Sequence, residues 1–204
     1  MRLVGIFAAA AFAAGALAVA TDASAQRNRN NAASVVVYNY ERMLAESNAG
    51  RGMASALQTI GQQINQELQA LGPEVQSLQQ EEQRIQQLTR NMNAEQRRSN
   101  SQVQAFTQRA HQLQSRRAQL QGDMECTRAV ALRSFNEQLL PILRQTAEAR
   151  GAGIVMDTST AHYVASQFDV TNDVLQRVNT SIPSVTVTRR PYTECVGQQP
   201  AAAQ

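Results

Sequence analysis

Few side chains in this sequence have the chemistry of a catalytic site. The two histidines, His111 and His162, are the ordinary candidates for a general base, and neither lies in a recognisable catalytic motif. His111 lies beside a helical apolar stripe and His162 begins a strand-like segment, so both are interpreted as structural or solvated. We therefore predict that the protein is not an enzyme and has neither a catalytic residue nor a cofactor.

Three carboxylates in the C-terminal half could suggest a cation site, but the spacing of a calcium-binding loop is missing. Asp157 ends a predicted strand and Asp169 lies in the loop after it. Asp173 stands at the start of a predicted helix, where the helix dipole favours a negative charge. The sequence therefore predicts no metal site.

The two cysteines, Cys126 and Cys195, lack the paired spacing of zinc ligands. An oxidising compartment permits a disulfide between them or between subunits. Two interpretations stay open from the sequence: a disulfide that involves Cys126 and Cys195, or two free and structurally inert thiols.

The strongest electrostatic feature is a run of arginines in the middle of the chain, where Glu95 is the one acidic residue between positions 84 and 117. One interpretation is a solvated helix surface. The other is contact with an anionic membrane or lipopolysaccharide, or with acidic segments of another polypeptide, since each basic residue near an anionic membrane contributes about 1 kcal/mol. The basic residues of this run are Arg84, Arg90, Arg97, Arg98, Arg109, Arg116 and Arg117.

The first 25 residues have the organisation of a secretory signal peptide: Arg2, an apolar run over residues 3–20, and small residues at 23 to 25. We predict cleavage after Ala25 and a periplasmic protein. The alternative is a retained membrane anchor, because about 18 apolar residues approach the length that spans a bilayer. Export also argues against nucleic acid as a partner, although the sequence pI is near 9.3.

The elements that would position these residues follow from periodicity. After a flexible leader at 26–33, residues 34–39 predict a buried strand, and Asn39 predicts the N-cap of a short helix. A narrow helical stripe, typical of a coiled-coil seam, then begins, and Gly72-Pro73 predicts a kink in it. The stripe consists of Met53, Leu57, Ile60, Ile64, Leu68, Leu71, Val75, Leu78, Ile85 and Leu88.

A second stripe follows a segment of polar turn formers at 89–101. Two stripes of similar length around one turn predict an antiparallel helical hairpin, with about 38 residues and roughly 55 Å in each arm. The alternative is one continuous parallel coiled coil. The second stripe consists of Val103, Phe106, Ala110, Leu113, Arg117, Leu120 and Met124.

The second helix is expected to continue to about residue 150, with a kink or restart at Pro141, and to end at the glycines of 151–153. Further strands are predicted at 153–157 and 162–166, and a last helix from about 171 to 178. Three short strands are too few for a self-sufficient core, so we expect oligomerisation. The expected domains are an α/β body at 34–52 and 132–179, an arm at 53–131, and a disordered tail at 180–204.

This order of elements resembles the Skp/OmpH family of periplasmic chaperones over residues 34–179. The resemblance rests on the order and spacing of short motifs. It implies a mainly α fold, with coiled-coil arms projecting from a β-rich trimerisation body around a central cavity. The motifs are residues 35–39, Leu140-Pro141-Ile142, residues 149–157, His162-Tyr163-Val164 and residues 169–175.

The resemblance also implies a function. Such homotrimers hold unfolded outer-membrane β-barrel proteins without ATP. This chain departs from the family pattern in using arginine for all 19 of its basic residues, in a Gln-rich arm and in a tail that carries Cys195. The alternative function is a structural or adaptor coiled coil of the cell envelope that binds one defined partner.

Overall fold

The computed structural model describes residues 35–197. The predicted signal peptide, its cleavage after Ala25 and the leader at 26–33 lie outside the described residues. In chain order the elements are β1 (Val35–Tyr38), α1 (Tyr40–Glu46), α2 (Asn48–Ala70), α3 (Gly72–Thr89), α4 (Ala94–Ser99), α5 (Ser101–Ala149), β2 (Ile154–Asp157) and α6 (Thr171–Ser181). The prediction of a mainly helical chain with a small β element is confirmed.

The body forms where the two ends of the described chain meet. β1 and β2 pair in parallel, from Val35 opposite Ile154 to Tyr38 opposite Asp157. The fully buried Phe135 of α5 packs at the centre, with its ring edge-on to Tyr40 at 6.3 Å. Burying such aromatic and aliphatic side chains supplies most of the stability of a small body. Its buried core consists of Val36, Met43, Ala49, Met53, Ala131, Phe135, Leu139, Ile142, Leu143, Ala147, Val170, Val174, Val178, Ile182 and Val185.

Hydrogen bonds fix how the chain enters and leaves β1. The Asn39 side chain accepts from the Arg42 N–H at 2.9 Å, which confirms the predicted N-cap of α1. The Thr171 hydroxyl accepts from the Asn39 N–H at 3.0 Å, and the Asp157 carboxylate accepts from the Tyr40 N–H at 2.9 Å. The start of α1 is therefore tied to both β2 and α6.

The long helices lie side by side and run in opposite chain directions. Arg109 pairs with Glu81 and Arg116 with Glu74, so residue numbers rise along α5 as they fall along α3. The sequence predicted a kink at Gly72-Pro73, and a break occurs there: α2 ends at Ala70 and α3 begins at Gly72. Proline is tolerated in the first turn of a helix because its missing N–H has no partner there.

α5 is continuous for 49 residues, with Pro141 inside it, so the chain does not restart there. It ends at Ala149, just before the glycines of 151–153 where the sequence predicted its end. Gly151 has a φ of 64°, the left-handed conformation that glycine adopts most easily. The Ala152 N–H then donates to the Ala147 carbonyl at 2.9 Å, which satisfies a carbonyl of the last turn.

The predicted turn at 89–101 contains a short helix, α4. The Asn93 side chain accepts from the Gln96 N–H at 2.8 Å, and the Gln96 side chain accepts from the Asn93 N–H at 2.9 Å. This reciprocal capping box satisfies two N–H groups at the start of α4. Asn100 then caps α5 by accepting from the N–H groups of Gln102 and Val103.

Two sequence-based expectations are wrong. The segment 162–166 does not form a strand. The chain instead makes 3₁₀ turns at Thr158–Thr160 and Ser166–Phe168, and Tyr163 is 85% exposed. The part of the expected disordered tail that the structure describes, up to residue 197, is packed against the helices, because Ile182 and Val185 join the core and Cys195 is bonded to Cys126.

Candidate functional site

The distal half of the paired helices buries its apolar stripe only in part. α2 buries Met53, Ile60 and Ile64, whereas α3 has no buried residue. Leu88, near the end of α3, is 39% exposed. Val75, Leu78 and Ile85 are only half-buried, so the stripe beyond Leu71 keeps an accessible apolar margin between glutamines.

Shallow clefts follow this margin. One cleft of about 430 Å³ is lined by Leu78, Ala110, Leu113 and Arg117, among other residues. Arg117 occupies a stripe position in the sequence, and its side chain is exposed at the border of the cleft. Such a surface offers apolar contact beside a positive charge, and it lacks a deep enclosed pocket.

The seven arginines of the predicted contact surface differ in their partners. Arg109 and Arg116 form ion pairs across the helices with Glu81 and Glu74. Counting charges along the sequence missed these acids because they lie outside the window 84–117. Exposed pairs of this kind contribute only about 0–1 kcal/mol to the stability of the fold. Their main effect is to neutralise two of the seven positive charges. The arginines near the chain reversal, all exposed, are Arg84, Arg90, Arg97 and Arg98.

The two cysteines form a disulfide between Cys126 of α5 and Cys195 of the C-terminal segment, with their Cα atoms 5.6 Å apart. Nearby, Arg189 donates hydrogen bonds to Glu67 and to Asp123. The bond to Glu67, with a smaller contribution from Asp123, raises the pKa of Arg189. Of the two interpretations that the sequence left open, the structure has the disulfide and not two free thiols.

The body exposes apolar surface beside its sheet. Ile154 and Met156, on β2, are 53% and 39% exposed, and Leu140 is 58% exposed. Leu140 also lines a cleft of about 900 Å³, together with Tyr38 and other residues. An exposed apolar surface of this kind is typical of an interaction site.

The same cleft is lined by three titratable groups with shifted pKa values, Tyr38, Tyr40 and Asp157. Partial burial raises the pKa values of Tyr38 and Tyr40. At Asp157 partial burial acts to raise the pKa, but hydrogen bonds from Ser159 and from the Tyr40 N–H outweigh it and lower the pKa. The Asp157 carboxylate therefore stays ionised and accepts hydrogen bonds from the N–H groups of Tyr40 and Ser159.

The remaining candidates for chemistry are dispersed. His111 and His162 are exposed and far apart in the sequence, Asp169 accepts from Thr171, and Asp173 pairs with Arg150. Within residues 35–197, no three His, Cys, Asp or Glu side chains are grouped so that they could hold a metal ion. Over the same range, no helix combines the length and the apolar character needed to cross a bilayer.

Comparison with known proteins identifies the family. The family model described as Outer membrane protein (OmpH-like) matches residues 34–178. A crystal structure of a candidate outer membrane chaperone (OmpH-like) from Caulobacter crescentus CB15 has a TM-score of 0.57 and 21% identity. It covers 82% of this chain and 94% of that one. Among curated proteins no significant match was found. The similarity in structure supports the fold. The family model covers most of the chain, so this protein belongs to the OmpH-like family.

Proposed function

We propose that this protein is a periplasmic, ATP-independent holdase chaperone for unfolded outer-membrane β-barrel proteins. The observation that carries the proposal is the half-covered apolar stripe of α3 and its partner helix, in a chain of the OmpH-like family. An unfolded barrel protein must be kept from pairing its strand edges, yet it must be released without ATP. Many weak contacts along a long polar-bordered surface meet both needs, because their affinity arises from multivalency.

The working form in this proposal is a homotrimer. The exposed side chains of Ile154, Met156 and Leu140 lie on the body, where contact with other copies would remove them from water. Three antiparallel helical-hairpin arms would then extend from one body and enclose a cavity. Light scattering and native mass spectrometry test this, and a folded monomer at micromolar concentration would contradict it.

The exposed arginines at the end of each arm are proposed to contact anionic lipid, lipopolysaccharide or acidic client segments. The test variant changes Arg90, Arg97 and Arg98 to Glu and should bind vesicles of anionic phospholipid more weakly. Binding by the unchanged protein should also fall with salt, because screening shortens the reach of charge to about 8 Å at physiological ionic strength. The control variant makes the same change in charge elsewhere, at the exposed Arg128, Arg144 and Arg177.

Equal vesicle binding by the tip variant and the control variant would indicate that the tip arginines are only a solvated surface. Far-ultraviolet circular dichroism should show the same helicity in both, because the substituted side chains are exposed.

The central experiment measures whether the protein prevents aggregation of a urea-denatured outer-membrane barrel protein after dilution, without nucleotide. The shortened variant joins Leu71 to Gln119 through a short Gly/Ser linker. These positions face each other, as the flanking pair of Glu74 and Arg116 indicates, and the base of the arm with its disulfide remains. We expect protection by the full chain and a large loss in the shortened variant.

Native mass spectrometry of the shortened variant provides the control, since the body that forms the oligomer is unchanged. If the full chain fails to protect at a few-fold molar excess of trimer, the holdase proposal should be abandoned for the adaptor alternative. An adaptor coiled coil would protect in neither form and would bind one folded partner.

A further inference from the structure

The C-terminal segment 183–197 crosses the base of the paired helices, and one arginine joins them there. The Arg189 guanidinium donates to the Glu67 carboxylate of α2 at 2.5 and 3.2 Å. The same group donates to the Asp123 carboxylate of α5 at 3.1 and 2.9 Å. Arg189 therefore connects two helices that are distant in the sequence.

The backbone of the segment is held by the same face of α5. The Tyr192 N–H donates to Asp123 at 2.8 Å, and the Arg190 N–H donates to the hydroxyl of Thr127 at 2.8 Å. Thr127 is only 1% exposed, although it is a polar residue on a helix surface. The Thr127 hydroxyl donates to the Asp123 carbonyl at 2.6 Å, and the segment supplies the N–H that this hydroxyl accepts.

Gly122 completes this face. A Cβ atom at Gly122 would lie 2.7 Å from the Cβ of Tyr192, too close for an unstrained contact. Glycine inside a helix costs about 1 kcal/mol relative to alanine, and here its bare surface lets the segment approach. Residues 122, 123, 126 and 127 lie on one helix face, because 126 is four positions after 122 and 127 is four positions after 123.

The disulfide between Cys126 and Cys195 closes the end of the segment, over a sequence separation of 69. Cys126 is 2% exposed, whereas Cys195 is half-buried and more accessible. The segment lies beyond residue 178, where the match to the family model ends. It is therefore an addition of this chain to the part that the family model describes.

We propose that residues 183–197 form a redox-released strap that locks α5 to α2 at the base of the arm. A small dithiol reductant would open the lock: it loses two electrons and two protons and becomes a disulfide, while Cys126 and Cys195 each become a thiol. The opened strap keeps its ion pairs, its hydrogen bonds and the apolar contacts of Val185 and Val187, but its end is no longer held covalently, so it detaches more often. The proposal does not depend on client binding.

Hydrogen exchange with mass spectrometry on the full protein tests the strap, before and after treatment with dithiothreitol. Reduction should speed amide exchange by about tenfold or more in 186–197 and in the facing parts of α2 and α5, since a cross-link suppresses local opening. Exchange in α4 should not change. Reoxidation should restore the original rates.

A matched pair of variants separates the clamp from a general effect of charge. Arg189→Ala in the reduced protein should speed exchange in α2 near Glu67, whereas the neighbouring Arg190→Ala should not, because its side chain pairs only locally with Glu194. Unchanged rates after reduction, equal effects of the two variants, or a disulfide that links two chains on a non-reducing gel would each overturn the proposal. The double variant Cys126→Ser/Cys195→Ser should have the amide exchange rates of the reduced protein. If that variant does not fold, the comparison of untreated with reduced wild-type protein decides the question.

Discussion

Two glycines in the first turns of α2 offer a sharp test of how α1 packs on α2. At Gly50 an added Cβ would lie 2.1 Å from the backbone oxygen of Leu44, whereas at Gly52 it would meet nothing within 4 Å. Both residues are helical and lie two positions apart. The same substitution should therefore change the stability of the body in opposite directions.

The expected magnitudes follow from two terms. Alanine is favoured over glycine inside a helix by about 1 kcal/mol, and Gly52→Ala should gain about 0.5–1 kcal/mol of unfolding free energy. Gly50→Ala has the same gain, but the clash is with backbone, which cannot rotate away. Overpacking costs about 1–3 kcal/mol or more, and a contact of 2.1 Å with backbone lies at the upper end of that range. After subtraction of the helix gain, Gly50→Ala should therefore lose about 2 kcal/mol in net. At about 2–4 °C per kcal/mol, the two variants should differ by roughly 5–12 °C in Tm.

Urea unfolding followed by circular dichroism measures both variants, at one protein concentration because the proposed trimer would make stability concentration-dependent. The slope with urea should stay the same, so that the midpoint reports stability. A Gly50→Ala variant as stable as wild type would refute the close approach of α1 and α2. A Gly52→Ala variant that loses stability would show that its surface is covered.

Three further predictions concern the body and the tip. Phe135→Ala should lose about 3–5 kcal/mol of unfolding free energy in the same urea assay, and a loss below about 1 kcal/mol would contradict its place in the core. Folding lowers the pKa of Asp157, so its contribution to the free energy of unfolding is present above the ordinary pKa near 4 and is lost as pH falls through the lower folded value. When the free energy of unfolding is measured from pH 6 to 2, Asp157→Ala should show a smaller dependence on pH than wild type. Asn100→Ala removes the cap of α5 and should speed amide exchange at Gln102 and Val103, with about 1 kcal/mol lost locally and rates in the body unchanged.

The sequence predicted the elements whose signals are local. The cap at Asn39, the helix end at Gly151 and the break at Gly72-Pro73 each depend on residues within one or two turns. The family prediction is confirmed because its motifs combine such local signals in a fixed order.

The C-terminal segment could not be predicted in this way, since its partners are distant. Arg189 meets Glu67 and Asp123 only after the long helices have paired. Its composition is polar, which is typical of disorder, and its stability comes from ion pairs and a cross-link more than from an apolar run. One signal was available: Gly122 stands inside a predicted helix close to Cys126, and a glycine inside a helix is costly enough to suggest a packing reason.

The contacts along the paired helices imply that stability changes at Leu71. Below this residue α2 buries Ile60 and Ile64, and the strap adds ion pairs and a disulfide. Beyond it α3 buries no side chain, and its ion pairs with α5 are exposed. Regions with few buried contacts open at low free energy, and binding surfaces that must adapt are drawn from such regions. The holdase function proposed above would use this division, because a firm base would keep the arms in place while a looser distal half adjusts to clients of varied sequence.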